Sequence, residues 1–277
     1  MSARTFKLIG AAGAAALTVG VLAAPATAAP ITVNYSCFNG ALTIPITMDL
    51  GTLPAKLVAG QSVKKTISGG NVHLDQNAVG VALGQGWDAV SGTNVAKTQT
   101  PYSLKIPKTT LPAPGNSLDI PATGAFTIKP TKAGTYKVKA GDSNADIQGW
   151  NGSTKANDIP LDCVAPTDGS NVFGTIAVRK DASKTTTKAS YNAKKHVATG
   201  TATVAGAKFK LAGTGRVKFT LKKGSKTVKS ITASLKKGKA SAAFKSVKAK
   251  GSYTITAAFK GDAGLKGSSG KASFKVK

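Results

Sequence analysis

Apolar and polar residues along this 277-residue chain alternate in the manner of short strands. Leu42, Ile44 and Ile46 alternate with Thr43 and Pro45, and Phe126 and Ile128 with Thr127 and Lys129. Tyr136 and Val138 alternate with Lys137 and Lys139. A period of two places one set of side chains on a single face of a strand. The alternation sharpens toward the C terminus, where Val217, Phe219 and Leu221 are expected to face a core and Lys218, Thr220 and Lys222 to face water. Ala240, Ala242 and Phe244 stand in the same way against Lys239 and Lys245. So do Tyr253, Ile255, Ala257 and Phe259 against Thr254, Thr256 and Lys260, and Ala272, Phe274 and Val276 against Lys271, Lys275 and Lys277. Four amphipathic strands divided by turn residues predict a two-sheet sandwich. Helical periodicity is nearly absent beyond the first thirty residues, so the chain reads as all-β. Pro101, Pro107, Pro112, Pro114 and Pro121 predict loops or edge strands, because proline cannot donate to a ladder.

The N terminus follows a different pattern. Arg4 and Lys7 precede an apolar run from Leu8 to Ala24, broken by Gly10, Gly13 and Gly20 and closed by Pro25 and Ala26-Thr27-Ala28-Ala29. A positive start, a short apolar middle and an Ala-x-Ala end predict a secretory signal peptide over residues 1–28, cut after Ala28. The alternative is an uncleaved N-terminal anchor. No other segment approaches the roughly 18 apolar residues of a membrane span, so none is expected after cleavage. The mature protein is expected to be secreted, or held at the cell wall without a covalent bond.

Charge divides the rest. Residues 29–181 carry 13 basic and ten acidic residues, whereas residues 182–277 carry 23 basic residues and only Asp262, a net of +22 within the whole-chain +27. This asymmetry predicts two domains, 29–181 and 182–277. The regularly placed aromatics of the second exclude a disordered basic tail. So strong a positive field implies anionic cell-wall or extracellular polymers as partners. Arg179 and Arg216 are the only arginines after residue 28, so diffuse attraction to lysine is expected in place of bidentate, base-reading contacts. Aromatics suited to stacking bases are not interleaved with the lysines, and no specific nucleic-acid sequence is implied. Lys208, Lys210, Lys218, Lys222, Lys223, Lys236, Lys237 and Lys239 are expected to act collectively.

Cys37 and Cys163 are the only cysteines. In an exported chain they are expected to form one disulfide, the alternative being two free thiols. Closing a loop of about 125 residues would contribute roughly 4–5 kcal/mol in the chain-entropy account. With His73 and His196 the only histidines, no metal site or cofactor is expected. Ser62-Val63-Lys64-Lys65 has the spacing of a lysine-activated serine, but Ser234-Leu235-Lys236-Lys237 and Ser268-Ser269-Gly270-Lys271 share it, as a lysine-rich chain produces by chance. A serine triad lacks its Gly-x-Ser-x-Gly elbow. Asp142, Asp146, Asp158 and Asp162 are the candidate carboxylates for glycoside cleavage. Asp142, Asn144 and Asp146 are spaced like the start of a calcium loop, but Ile147 stands where glycine is required. Trp87 and Trp150, each preceded by glycine, are candidate sugar platforms, with core or loop anchoring the stronger expectation. Leu111-Pro112-Ala113-Pro114-Gly115 resembles a sorting signal but sits mid-chain with no apolar tail behind it. No catalytic residue is assigned, and a non-enzymatic protein is expected.

Gly215-Arg216-Val217-Lys218-Phe219, Gly238-Lys239-Ala240 and the stretch from Gly251 to Asp262 resemble the bacterial immunoglobulin-like repeats of surface and secreted proteins (Ig-like domain 3 type). The likeness covers about 60 residues, and lysine occupies exposed positions where relatives carry threonine or neutral polar residues. It implies an immunoglobulin-like C-terminal domain with a role as stalk, spacer or adhesive module; the fold expected for the whole chain is all-β, with two β-sandwich domains, the C-terminal one immunoglobulin-like. Val33-Asn34-Tyr35-Ser36-Cys37 and Ile159-Pro160-Leu161-Asp162-Cys163, with Ile106-Pro107-Lys108-Thr109-Thr110-Leu111-Pro112, Gly124-Ala125-Phe126-Thr127 and Gly174-Thr175-Ile176, resemble an uncharacterised domain of secreted actinobacterial proteins. That likeness implies a disulfide-closed β-domain and no known activity. The leading expectation is a secreted, wall-associated binding or structural protein. An adhesin for a host or environmental glycan, and an unrecognised hydrolase in the first domain, are the alternatives.

Overall fold

The computed structural model describes residues 29–96 and 100–277. The expected signal peptide lies outside the described residues. The chain begins with β1 (Ile31–Cys37), β2 (Leu42–Met48), β3 (Lys56–Val58) and β4 (Val63–Leu74), followed by α1 (Gln76–Gly84). There follow β5 (Ala89–Ala96), β6 (Tyr102–Thr110), β7 (Leu118–Ile128), β8 (Gly134–Lys139), β9 (Ser143–Asn151), β10 (Thr154–Val164) and β11 (Val172–Arg179). The C-terminal strands are β12 (Ser183–Asn192), β13 (Val197–Gly206), β14 (Arg216–Lys223), β15 (Lys226–Ser234), β16 (Lys239–Phe244), β17 (Gly251–Gly261) and β18 (Lys266–Val276).

The all-β reading holds, but the first half is a barrel where a sandwich was expected. Eight strands close in the order β1-β10-β9-β5-β6-β7-β4-β2, and β3-β11-β8 form a separate small sheet. A barrel and a sandwich share the same period-two alternation, so the pattern alone does not separate them. Closure depends on β1 meeting β10, and Cys37 and Cys163, 126 residues apart, are disulfide-bonded there. That ladder is short: only Ser36 with Val164 and Cys37 with Cys163 are in register. By contrast β1 and β2 pair along seven residues, from Ile31 with Met48 to Cys37 with Leu42.

Prolines sit in this barrel where a ladder lapses. Pro107 lies inside β6 at the register shift opposite Val90 and Gly92, and Pro121 in β7 lies beyond the last β6 partner pair, Lys105 with Thr123. Both were expected in loops or edges, and a barrel has no edges. Bulges and splayed strand ends supply the unpaired N–H positions instead. Inside, Tyr102 stacks on Phe126 at 5.5 Å and Phe126 meets Phe173 edge-on at 5.0 Å. The Tyr102 hydroxyl donates to the Tyr35 hydroxyl at 2.7 Å, and Tyr35 donates to the Gly141 carbonyl at 3.2 Å. Burial pushes both phenols above their usual range.

The C-terminal strands form a two-sheet sandwich, β12-β13-β16 against β15-β14-β17-β18. Val217, Phe219, Leu221, Phe244, Tyr253, Ile255, Ala257 and Phe259 are buried between the sheets. Ala272 and Phe274 on the outermost strand, β18, are half-buried, and Val276 is buried. The barrel and the sandwich meet at Asp181. Its N–H donates to the Gly264 carbonyl at 2.9 Å, while its buried carboxylate accepts from the Lys208 and Phe209 N–H groups at 3.2 Å.

Gly149 in β9 is required by a neighbour. A Cβ there would stand 2.0 Å from Trp87 Cε2, so the indole lies flat on the strand backbone. Gly149→Ala is expected to destabilise the barrel by about 1–3 kcal/mol, as overpacking does. Denaturant unfolding followed by tryptophan emission measures it, and an unchanged midpoint would contradict this packing.

Candidate functional site

Each lysine singled out in the sequence is on the sandwich surface, on three separate structural features. Lys218 and Lys222 project from β14, with Lys223 at its end. Lys218 is level with Ala258 and Thr232, and Lys222 with Thr254. Lys271 and Lys275 of β18 extend the same outer face, level with Thr256 and Ser252. Lysine is thus spaced on that sheet by small hydroxyl residues, and Thr254 bonds Ser273 at 3.0 Å. Lys208 and Lys210 lie in the β13–β14 connection. Lys236 and Lys237 lie in the β15–β16 turn and Lys239 opens β16, the Lys236 N–H donating to the Lys239 carbonyl at 2.8 Å. These two connections adjoin, because the Gly238 carbonyl accepts from Val204 N–H at 2.8 Å and Gly213 N–H donates to the Val204 carbonyl at 3.0 Å. Lys222 is half-buried, its apolar stem covered, and the other seven are exposed.

Nothing on the sandwich neutralises this charge. Among the described residues the one ion pair is His73 with Asp119, on the barrel. Asp262, the single acid of 182–277, is turned inward. Its carboxylate accepts from Thr214 N–H and Oγ1 at 2.8 Å, Gly264 N–H at 2.9 Å and Leu265 N–H at 2.8 Å. Desolvation pushes this carboxyl up, but those donors outweigh it and hold it below the ordinary 3.8. A carboxylate survives here only where the turn consumes it.

A second feature lies in the barrel. A cavity of about 470 Å³ opens at the end where α1 and the β1–β2 turn sit, and no charged residue lines it. Trp87, buried at 4 % exposure, forms part of its wall. Trp150 is on the outside, its Nε1 donating to Ser91 Oγ at 2.8 Å, with Lys108 Nζ 4.4 Å and Lys155 Nζ 5.7 Å from the ring centroid. The two tryptophans therefore form no common platform.

The other candidates are dispersed. Ser62 to Lys65 runs into β4, where residues three apart point to opposite faces, so Lys65 is not directed at Ser62. His73 Nδ1 is 2.9 Å from Asp119 Oδ1 on the barrel exterior, and that contact is the main reason the Asp119 carboxyl is lowered. His196, at positive φ in a turn, has Nδ1 3.3 Å from the Tyr191 hydroxyl. Asp142 accepts from Ala165 N–H at 3.0 Å, and Asp162 accepts from Asn144. Asn144 and Asp146 are on an extended strand, not in a loop. Asp158 and Asp162 are exposed on the neighbouring β10.

The β17 start carries a signal that sequence reasoning missed. The Tyr253 hydroxyl donates back to the Ala249 carbonyl, four residues upstream, at 2.7 Å. A tyrosine so placed at the entry to the penultimate strand of a seven-stranded, two-sheet sandwich is the tyrosine corner. The sandwich is immunoglobulin-like.

No family model matches the chain, and no curated protein does. A solved structure of fibronectin(III)-like modules of Clostridium thermocellum CbhA aligns with 82% of this chain and 92% of its own, at 14% identity and a TM-score of 0.22. A GH2 β-galacturonidase from Eisenbergiella tayi, bound to glycerol, aligns with 91% of this chain and 42% of its own, at 8% identity and a TM-score of 0.19. At such TM-scores neither likeness goes beyond shared β-sheet content.

Asp262→Asn is expected to cost about 1.5–3 kcal/mol, the range for bonds to a charged acceptor. Because the Asp262 carboxyl is lowered on folding, its stabilisation is present above the unfolded value and fades as pH falls through the lower folded value. The native chain should therefore lose stability below about pH 3.8 through this group, and the variant should lack that component. Urea midpoints across acidic pH measure it, and identical pH profiles would contradict it.

Proposed function

We propose that this chain is an exported, non-enzymatic binding protein whose basic immunoglobulin-like sandwich docks on anionic polymers at a cell surface. One observation carries the reading: 23 basic residues stand against one acid over residues 182–277, and that acid is spent on an internal turn. Solubility alone needs no such exclusion, since acidic residues serve it at least as well. Concentrating like charge on one small fold destabilises it by self-repulsion, so the arrangement needs a use that offsets that cost.

Lysines on a sheet face and on two adjoining connections suit a partner that is itself a flexible line of charges. A lysine ammonium is a mobile point charge with no fixed fork, so it favours many weak, non-directional contacts over a shaped pocket. The Cys37–Cys163 bond supports an oxidising compartment, and no helix among the described residues is long and apolar enough to cross a membrane. Retention at the surface would then be ionic and reversible.

The test is retention of the full mature chain on isolated cell walls, with and without their phosphate polymers, over a salt series. The logarithm of the binding constant should fall steeply and linearly with the logarithm of salt concentration, as counterion release requires. Walls stripped of phosphate polymer should retain little. Replacing Lys208, Lys210, Lys218, Lys222, Lys223, Lys236, Lys237 and Lys239 together with glutamine should flatten the slope. Salt-insensitive retention would overturn the reading.

A further inference from the structure

The barrel cavity is independent of the lysine surface and has its own chemistry. An eight-stranded barrel is just wide enough either to be filled by its own side chains or to hold one small ligand. Here side chains fill one end, around Tyr35, Tyr102 and Phe126, and leave the other hollow. At about 470 Å³ the space falls within the roughly 300–1,000 Å³ usual for small-molecule sites.

Its opening follows from the short ladder between β1 and β10, one of two in the barrel with only two register pairs. β10 is in register with β1 only at Cys163 and Val164, so Ile159 and Leu161, further back along β10, have no β1 partner. Both line the cavity. The turn after β1 packs against β10 beside that gap, and α1 packs against β4 on the same cavity. Ala78, Val81 and Ala82 recur at helical spacing and all face the cavity, yet Val81 is 61% exposed. Phe38 also lines the cavity and is 60% exposed, on a backbone at φ 55° that non-glycine residues rarely adopt. Two of the four large exposed apolar side chains among the described residues are therefore at this one mouth.

The polar groups are sorted by depth. Ser91 turns its hydroxyl out to Trp150 Nε1 at 2.8 Å, and inside, Asn94 Oδ1 lies 3.3 Å from the Tyr102 hydroxyl. At the mouth, Asn77 of α1 and Gln85, just after its end, line the cavity while exposed to water, and both are uncharged. A ligand with a buried charge would find no counter-charge in this wall, and burying an unpaired charge is prohibitive.

We propose that the barrel binds a small amphiphile: a hydrocarbon chain seated among Ile46, Ile120 and Trp87, with an uncharged polar head at Asn77 and Gln85. Phe38 and Val81 flank the entry. The lysine surface takes no part, so this site and the polyanion reading can fail separately.

The probe is N-phenyl-1-naphthylamine, apolar and uncharged, titrated into the full mature chain with its disulfide intact. An anionic dye is unsuitable because the sandwich would attract it. Saturable binding is expected, with energy transfer from Trp87 and displacement by a monoacylglycerol. High salt should leave it unchanged while releasing the chain from cell walls. Ala82→Phe, which fills the cavity, should weaken binding at least tenfold. Val81→Glu, at an exposed position that the fold tolerates, should do the same, and it decides the matter if the phenylalanine variant does not fold. Absence of saturable binding to the native chain would overturn the proposal, as would affinity that Val81→Glu leaves unchanged. A cavity that receives a side chain of a protein partner would give the first of these results.

Discussion

One covalent joint holds the N-terminal half in its shape. Six of the barrel's eight strand junctions pair along four or more residues, whereas β2 with β4 and β1 with β10 have two register pairs each, and only the β1–β10 junction joins the two ends of the barrel sequence. Cys37 and Cys163 are one of those pairs. Two residues of ladder give little stabilisation against the entropy of holding strands 126 residues apart, so the disulfide is the means by which the barrel closes. The same brevity leaves the lower part of β10 without a partner, and a hollow, apolar barrel end is the consequence. Closure and opening thus arise from one feature.

The sandwich solves a different problem. Its surface charges repel one another, and no ion pair among the described residues relieves them. Cohesion comes from a dry interior of Phe219, Phe244, Tyr253, Ile255 and Phe259, from the Tyr253 hydroxyl tied to Ala249, and from the Asp262 turn. Apolar burial is insensitive to the sign of the surface, so the outer positions are free to carry lysine. The two halves therefore present opposite chemistries: one a charged convex exterior, the other an uncharged concave interior.

Strand faces were legible wherever one side of a strand is buried. Val217, Phe219, Leu221, Tyr253, Ile255, Ala257 and Phe259 lie inside as their alternation requires. β12 and β15 were not legible, because Thr185 is the one buried residue of the first and none of the second is buried. A strand exposed on both faces has no apolar period. The barrel was misread as a sandwich because closure is a long-range pairing that local alternation does not encode. Pro107 and Pro121 reinforced the error, since register lapses are invisible until the neighbours are known. α1 had a readable start in Asp75, which accepts from Ala78 N–H at 2.8 Å, but Gly80 and Gly84 obscured it. The lysines were plain from composition, whereas the cavity depends on Asn94, Tyr102 and the seam together.

Hydrogen exchange with the disulfide intact and then reduced tests the dependence of the barrel on its seam most directly. On reduction, amides of β1, β9 and β10 should lose protection first, with the rest of the barrel following, while β13, β14 and β17 of the sandwich keep theirs. Unchanged protection across β1 and β10 would contradict the account, because the two-residue ladder would then be sufficient to hold the barrel shut.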